Sequence, residues 1–247
     1  MNILVHGCTG RMGTILTELI EASPEHTLAA GISPSCTSSM PGRYAALADY
    51  PGTADCVIDF SNHTATDELT AYCVAHRTSL VVATTGHTPE EKALLQAASQ
   101  TIPLFCASNM SLGVALLASL ARQAAALFPQ ADIEIIERHH NQKLDVPSGT
   151  ALTLAESLRS VRPEAEFLVG RRENGKRPQG QIGIHSLRYG NEVGTHEIIL
   201  ATGSQTITLK HEAENRSLFA EGALTAAAFV CTRPAGYYTM DDLVSAI

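Results

Sequence analysis

Several things are missing from this 247-residue chain, and each absence excludes a class of protein. No apolar run approaches the roughly 20 residues that span a bilayer, so no membrane segment is expected. No long basic run occurs and the formal net charge is −8, so a nucleic-acid partner is not expected either. The start, Met1-Asn2-Ile3-Leu4-Val5, has no basic segment ahead of its apolar residues and reads directly as a strand. A signal peptide is therefore not expected, and a cytoplasmic location is. No C-x-x-C pair exists among Cys8, Cys36, Cys56, Cys73, Cys106 and Cys231, which argues against a zinc or disulfide framework. Reduced cysteines in apolar surroundings behave instead as small hydrophobes. Charged residues are scarce at 17%, against 45% hydrophobic ones, a balance that builds a core and excludes a disordered chain. There is no internal repeat and no low-complexity tract.

What is present in the first half is alternation. Asn2 to His6 reads as a strand that runs into Gly7-Cys-Thr-Gly-Arg-Met-Gly13, and a helix follows with Met12, Ile15, Leu16, Leu19 and Ile20 on one stripe. In that context a glycine-rich turn suits a dinucleotide. Gly7 allows the tight turn, Gly10 lets backbone approach a pyrophosphate, and Gly13 lets the helix lie close to the sheet. The spacing is G-x-x-G-x-x-G, with Thr9 where a second glycine commonly stands. Strands are expected at Leu28–Ile32, Cys56–Phe60, Leu80–Ala83 and Ile102–Cys106, with helices at Thr64–His76 and Pro89–Ala98. Continuous apolar strands alternating with helices indicate a buried parallel sheet, whose ligands lie across the carboxyl ends of its strands. Three small polar segments leave those ends, Asp59–Asn62, Ala83–Gly86 and Ala107–Met110, and form a rim over a cofactor. After the second strand no acidic residue is available to hold ribose hydroxyls. Ser33 and Ser35 can bond a phosphate there, with Arg43 as a further candidate, so NADPH is the expected cofactor, with NADH also accepted.

The second half opens with a long apolar helix, Leu112–Leu127, and a strand from Asp132 to Glu137. Then comes the most informative run, Glu137-Arg-His-His-Asn-Gln-Lys-Leu-Asp-Val-Pro-Ser-Gly-Thr-Ala151. It reads as a charged loop leaving a sheet and ending at a helix, Thr150–Val161, with Leu152, Ala155 and Leu158 on one face and Ser148 as N-cap. Free backbone N–H groups and the helix dipole favour an anion at that end. Proton donors beside an anion cradle point to a carboxylate-bearing substrate. Strands are expected at Ile182–Tyr189, His196–Ala201 and Gln205–His211, with alternation in Thr206–Lys210 giving a sheet with one covered face. Asn174–Gly180 reads as a mobile loop. A helix at Leu218–Cys231 and the terminal segment Asp241–Ile247 return to the first domain.

Glycine loop, Ala83–Gly86, Ser108-Asn109-Met110 and Glu137–Ala151 together resemble the 4-hydroxy-tetrahydrodipicolinate reductases, formerly called dihydrodipicolinate reductases. Arg188 with Gly190, Val193–His196, Phe219-Ala220 with Gly222-Ala223, and Gly236-Tyr237 extend the resemblance over essentially the whole chain. His-His-x-x-Lys-x-Asp-x-Pro-Ser-Gly-Thr is its most specific part. The resemblance implies an α/β protein with a Rossmann-like parallel-sheet domain, residues 1–109 plus 217–247, and a second α+β domain with a mixed sheet, residues 110–216. It implies a homotetramer joined through the second domain, and reduction of a six-membered ring carrying two carboxylates. His139 and Lys143 take the catalytic positions; His140, Ser148, Gly149 and Thr150 take those that hold substrate. Candidate cofactor residues are Gly7, Cys8, Thr9, Gly10, Arg11 and Met12, then Ser33, Ala83, Thr84 and Thr85, then Ala107, Ser108, Asn109 and Met110. No metal is expected. Two departures stand out: Thr9 replaces a frequent small residue, and Ser33 replaces an acidic residue that many members carry, which leaves cofactor preference open.

Hydride addition to the ring leaves negative character that a proton must quench. Lys143 and His139 are both candidates for that proton, and the residues alone do not divide the role between them. Glu137 either orients a histidine or acts as a catalytic carboxylate, with orientation favoured. Asp145 caps or pairs with Lys143. His185, Arg188, His196 and His211 stand undecided between sheet surface and site. Three other functions compete for these residues. A metal-dependent hydrolase would use His139 and His140 with Glu137 or Asp145, but adjacent strand residues point to opposite faces. A non-catalytic nucleotide sensor leaves the Lys143 cluster without a task. Aspartate-semialdehyde dehydrogenases need a cysteine at a helix start, which none of the six provides.

Overall fold

Short apolar runs of the first half pair side by side in a computed structural model that describes residues 1–37 and 39–246. β1 (Asn2–His6) leads through the glycine turn into α1 (Arg11–Ala22), followed by β2 (Thr27–Ile32) and β3 (Arg43–Tyr44). β4 (Cys56–Asp59), α2 (Thr66–His76), β5 (Ser79–Val82), α3 (Pro89–Ala98) and β6 (Pro103–Cys106) continue the alternation. Every residue of β4 and β5 is buried, which is why both lack an alternating pattern and read as continuous apolar runs. Local chemistry sets the helix ends. Thr88 and Glu91 form a reciprocal capping box around Pro89, and Arg77 closes α2 in the left-handed region at φ 52°. The helix expected from Thr64 begins at Thr66, because Asn62 caps a separate 3₁₀ turn over His63–Ala65.

α4 (Leu112–Leu127) begins the second part, and β7 (Asp132–His139), α5 (Gly149–Arg159), β8 (Glu166–Val169), β9 (Gln181–Arg188), β10 (Gly194–Ala201) and β11 (Thr206–Ala213) follow. These five strands form a mixed sheet in the order β11-β10-β7-β9-β8, with β7 antiparallel to β10 and parallel to β9. Ile133 and Ile135 of β7, Ile182 and Ile184 of β9, and Ile198 and Leu200 of β10 turn one face towards Leu117, Ala121, Leu154 and Leu158. Burial of each such side chain contributes about 1.5–3 kcal/mol. Arg162 donates to the carbonyls of Ala125, Phe128 and Ala131, closing the end of α4. Leu152, expected on the covered face of α5, is 41% exposed; the buried row is Ala151, Leu154, Ala155 and Leu158.

α6 (Ser217–Val230), β12 (Gly236–Tyr238) and α7 (Met240–Ser245) complete the chain. β12 pairs with β6, so the parallel sheet has seven strands in the order β12-β6-β5-β4-β1-β2-β3. α6 presents Ala220, Ala223, Ala226, Ala227 and Val230 to the core beside Ile3, Val5, Leu16 and Phe105. Gly222 is obligatory there, since a Cβ would meet the Met110 carbonyl oxygen at 1.7 Å. The chain thus divides into one unit of Met1–Leu112 with Ser217–Ile247 and another of Gly113–Arg216. The architecture is α/β, a Rossmann-like parallel sheet with a second, mixed-sheet α+β unit. β3, β8 and β12 escape sequence reading because two to four residues carry no period. Among the described residues, no helix is long and apolar enough to cross a membrane.

Candidate active site

In the first unit the strand order reverses direction at β1, between β4 and β2, and the glycine turn sits at that switch point. Gly7 has φ +84°, and a Cβ on it would lie 2.6 Å from the Phe60 carbonyl oxygen. A Cβ on Gly13 would fall 2.1 Å from the Gly7 carbonyl oxygen, so α1 rests directly on the turn. The N–H groups of Gly7 and Cys8 both donate to the Ile32 carbonyl, at 2.8 and 3.2 Å. At the start of α1, Gly10 supplies no side-chain cap and the first turn holds no acidic residue, leaving its polarity available to an anion. Thr9 Oγ1 lies 2.7 Å from Ser33 Oγ and 2.8 Å from Ser35 Oγ, so three hydroxyls cluster at the end of β2. Arg43 reaches the same strand end: its Cδ and Nη1 lie over Gly31, and its Nη2 is 3.8 Å from Glu21.

The rim segments separate into support and lining. Asp59, expected on the rim, is buried and engaged by His6 Nδ1 at 2.8 Å and by the Ser61 hydroxyl at 2.6 Å. It braces the ends of β1 and β4. Ala83 is half-buried and Thr85 exposed, while Thr84 is buried with its hydroxyl unpartnered among the described residues. Asn109 Oδ1 accepts the Ser111 N–H at 2.8 Å, Met110 is buried, Ala107 is half-buried and Ser108 exposed.

In the second unit the strand expected to end at Glu137 continues through His139, because β7 is bonded on both sides as far as Arg138 and Thr195 on one and His139 and Arg188 on the other. His139 is therefore a strand residue rather than part of a loop. Period two then carries the buried row Ile133, Ile135 onward to Glu137 and His139. Register adds His196 of β10 opposite Glu137, and Arg188 of β9 beside His139, on the same face.

Glu137 is fully buried. Its Oε2 accepts from His139 Nδ1 at 2.5 Å and Arg188 Nη1 at 2.8 Å; its Oε1 accepts from Arg188 Nη2 at 2.7 Å and the Ser148 N–H at 3.2 Å. Burial alone would raise its pKa, yet the bonds from His139 and Arg188 outweigh that and hold it well below the usual carboxylate range. An ionised Glu137 keeps the proton of His139 on Nδ1 and turns Nε2 away from it. Nε2 faces Gly194, where a Cβ would come within 2.9 Å. His196 stacks edge-on against His139 with ring centroids 5.2 Å apart, and burial pushes its pKa down to about 4, with His139 adding to the effect.

Ser148 is the N-cap of α5, accepting the Ala151 N–H at 3.1 Å, and it also meets His196 Nε2 at 3.2 Å. Its side chain is thus committed within the protein, and the outward part of the cradle is exposed Gly149 with half-buried Thr150. Lys143 Nζ pairs with Asp145 Oδ1 at 2.9 Å in the connecting loop, and this pairing lowers the Asp145 pKa. His140, half-buried, donates its N–H to the Glu192 carbonyl at 2.8 Å. His185 bonds Glu134 on the opposite face and takes no part. Asn174–Gly180, expected to be mobile, has no regular structure but is tied at Arg177, which engages Asp132, Glu134 and the carbonyls of Ile133 and Gln181.

Two family models match this chain: "Dihydrodipicolinate reductase, N-terminus" over residues 1–110 and "Dihydrodipicolinate reductase, C-terminus" over residues 113–244. The chain belongs to the dihydrodipicolinate reductase family. The 4-hydroxy-tetrahydrodipicolinate reductase of Caldanaerobacter subterraneus subsp. tengcongensis is 40% identical over 246 residues, covering 99% of this chain and 98% of the relative. That of Akkermansia muciniphila is 41% identical over 251 residues, covering 99% and 98%. Among solved structures, a dipicolinate-bound dihydrodipicolinate reductase from Paenisporosarcina sp. TG-14 superposes with a TM-score of 0.80 at 25% identity, covering 97% of each chain. In this family member the border between the two matched models falls at the start of α4, while α6 and β12, inside the C-terminal match, pack in the first unit.

Sequence reading had named Glu137, His139, Ser148 and the Lys143–Asp145 pair, and the structure places all of them around the end of β7 and the start of α5. It had left His196 and Arg188 undecided. Their signal was available in principle: strand parity puts both on the row of Glu137 once the register is known. Gly194 entered only as part of the Val193–His196 match, because nothing in a sequence says which side chain lies over a strand glycine.

Proposed function

We propose that this chain reduces 4-hydroxy-tetrahydrodipicolinate to tetrahydrodipicolinate, in the diaminopimelate route of lysine biosynthesis, with the first unit holding the nucleotide and the second the substrate. The observation that carries the reading is the buried Glu137 that joins His139 to the capped N-terminus of α5, in a chain of this family. A bound nicotinamide dinucleotide supplies the hydride. The residues of the first unit fit such a group: side chains are excluded at Gly7 and Gly13, the start of α1 is uncapped, and the Thr84 hydroxyl is buried without a partner among the described residues. Gly7, Cys8, Thr9, Gly10, Arg11 and Met12 take the phosphates, with Ala83, Thr84 and Thr85 and the Ala107–Met110 segment on the rim. Ser33, with Thr9 and Ser35, offers hydroxyls and no repelling carboxylate to a 2′-phosphate, and Arg43 lies beside the same strand end; this supports NADPH, with NADH also used.

For the substrate, Gly149 and Thr150 receive one carboxylate at the start of α5, where N–H groups and dipole favour it. Ser148 acts by shaping that turn, since its hydroxyl is already bonded. His140 contacts the ring, and the pair His139 and Lys143 supplies the proton that quenches the charge left by hydride addition. With Nδ1 committed to Glu137, Nε2 is the atom His139 offers: it donates when it carries a second proton, and otherwise accepts from the ring nitrogen or a hydroxyl while Lys143 donates. Pinning one carboxylate fixes the acceptor carbon, and such positional control contributes several kcal/mol. The face of the mixed sheet bearing Ile136, Leu187 and Ile199 is only partly covered, which supports a homotetramer assembled through this unit. Six free cysteines suit the cytoplasm.

The test is nicotinamide oxidation at about 340 nm, with substrate generated in situ from pyruvate and aspartate semialdehyde by the preceding synthase. Synthase-dependent consumption, faster with NADPH than with NADH, is expected. Folded protein that binds cofactor but consumes neither would sink the reading and leave a nucleotide sensor.

A further inference from the structure

Arg188 spends both of its terminal nitrogens on acceptors within the protein. It leaves the C-terminal end of β9 in register with His139 of β7. Its two terminal nitrogens grip the two oxygens of Glu137, at 2.8 and 2.7 Å, and Nη2 also donates to the backbone carbonyl of Asp145 at 2.8 Å. Nη1 donates further to its neighbour's carbonyl, Leu187, at 2.7 Å. One guanidinium therefore bonds both the strand that carries His139 and the loop that carries Lys143. Glu137 completes the connection by accepting His139 Nδ1 on one oxygen and the Ser148 N–H on the other.

The geometry has the marks of placement. Nε of Arg188 is buried without a partner among the described residues, so the side chain forgoes one bond to set its fork where Glu137 and Asp145 need it. A buried ion pair is by itself weak evidence for stability, because apolar residues of the same volume often serve as well. Apolar residues would not hold an imidazole, a helix N-terminus and a loop carbonyl in one register. Lysine would keep the charge but not the planar fork that meets two oxygens and a carbonyl together.

We infer that Arg188 is a positioning residue for the reduction: by holding Glu137 and the Asp145 carbonyl at once, it sets Lys143 and the start of α5 against His139, and it does so without touching substrate. This rests on the functional reading above. It assigns Arg188 no role in nucleotide binding.

The decisive variants are Arg188→Lys and the double variant Glu137→Gln/Arg188→Met, because Arg188→Ala would leave the buried Glu137 without its guanidinium partner and could unfold the unit. For each, kcat, the Kd of pyridine-2,6-dicarboxylate by calorimetry, the Kd of NADPH by fluorescence, and Tm are compared with the parent. Arg188→Lys is expected to keep NADPH affinity within about twofold, to lower kcat about 100-fold, and to weaken the dicarboxylate about tenfold, the cost of a small misplacement in a site that works by position. The double variant is expected to fold and to show the same kcat loss. Parent-like kcat and dicarboxylate affinity in Arg188→Lys would overturn the inference. So would losses that track Tm and NADPH affinity in both variants. An inactive parent protein would instead remove the functional reading, and the dicarboxylate Kd ratios would still judge Arg188.

Discussion

Around the turn after β1 the chain withholds side chains; at the end of β7 it crowds them. In the first region Gly7 and Gly13 leave no room for a Cβ, α1 starts without a side-chain cap, and the hydroxyls of Thr9, Ser33 and Ser35 cluster nearby with Arg43 beside the same strand end. In the second, a carboxylate with no exposure is met by an imidazole, a guanidinium and a backbone N–H, with a second imidazole packed on the first. The difference teaches two ways of preparing a polar place. Backbone donors at a helix start cost little to keep near water, so that region depends on sterics. A buried charge is stable only when fully paired, so the other region stands or falls as a network.

The largest expected effect separates chemistry from binding. Lys143→Ala should lower kcat by roughly 10²- to 10⁴-fold, the usual range for a positioned proton donor, with NADPH Kd nearly unchanged. Equal loss of both in parallel steady-state and binding titrations would show that Lys143 supports the fold. Next comes the network's response to acid. His196 is neutral in the folded state with its pKa at about 4 against an ordinary 6.5. Between those values the unfolded chain binds a proton that the folded chain refuses, so stability is complete above pH 6.5 and declines as pH falls towards 4. The loss amounts to at most about 3 kcal/mol, and His196→Asn should flatten the urea midpoint measured from pH 7 to pH 4.5.

Gly13→Ala probes the opposite region. A Cβ 2.1 Å from the Gly7 carbonyl oxygen must push α1 away, at about 1–3 kcal/mol. Fluorescence titration should find NADPH binding weakened while dicarboxylate binding in the other unit persists; parallel loss of both would erase the contrast between the regions. The smallest effect is expected from Ser33→Asp. A carboxylate in the hydroxyl cluster should move the ratio of kcat/KM for NADPH over NADH about tenfold towards NADH. An unchanged ratio would place the 2′ position of the ribose elsewhere.

Legibility differed between the regions for the same physical reason. A turn that works by lacking side chains announces itself as glycines at fixed spacing between a strand and a helix, and G-x-x-G-x-x-G was readable at once. The buried parallel strands were readable too, as continuous apolar runs. Around Glu137 the residue types were readable, but their partners were not. Arg188 lies 51 residues from Glu137 and His196 lies 48 from Ser148, and no local pattern links such distances. The end of β7 was placed two residues short because Glu137, Arg138 and His139 break the apolar pattern of a strand; pairing on both sides and a complete set of donors let charged residues occupy it.

By itself, then, the sequence determined the alternation of strand and helix, the turn after β1 and the cap at Ser148, because each depends on residues a few positions apart. Tertiary structure alone decided that Asp59 braces β1 and β4 instead of lining the rim, that Ser148 spends its hydroxyl on His196, that Gly194 makes room for His139, and that Arg188 lies where Glu137 and the Asp145 loop meet. Those outcomes depend on strand register, and register is settled by the summed burial of whole faces, which no short stretch of sequence contains.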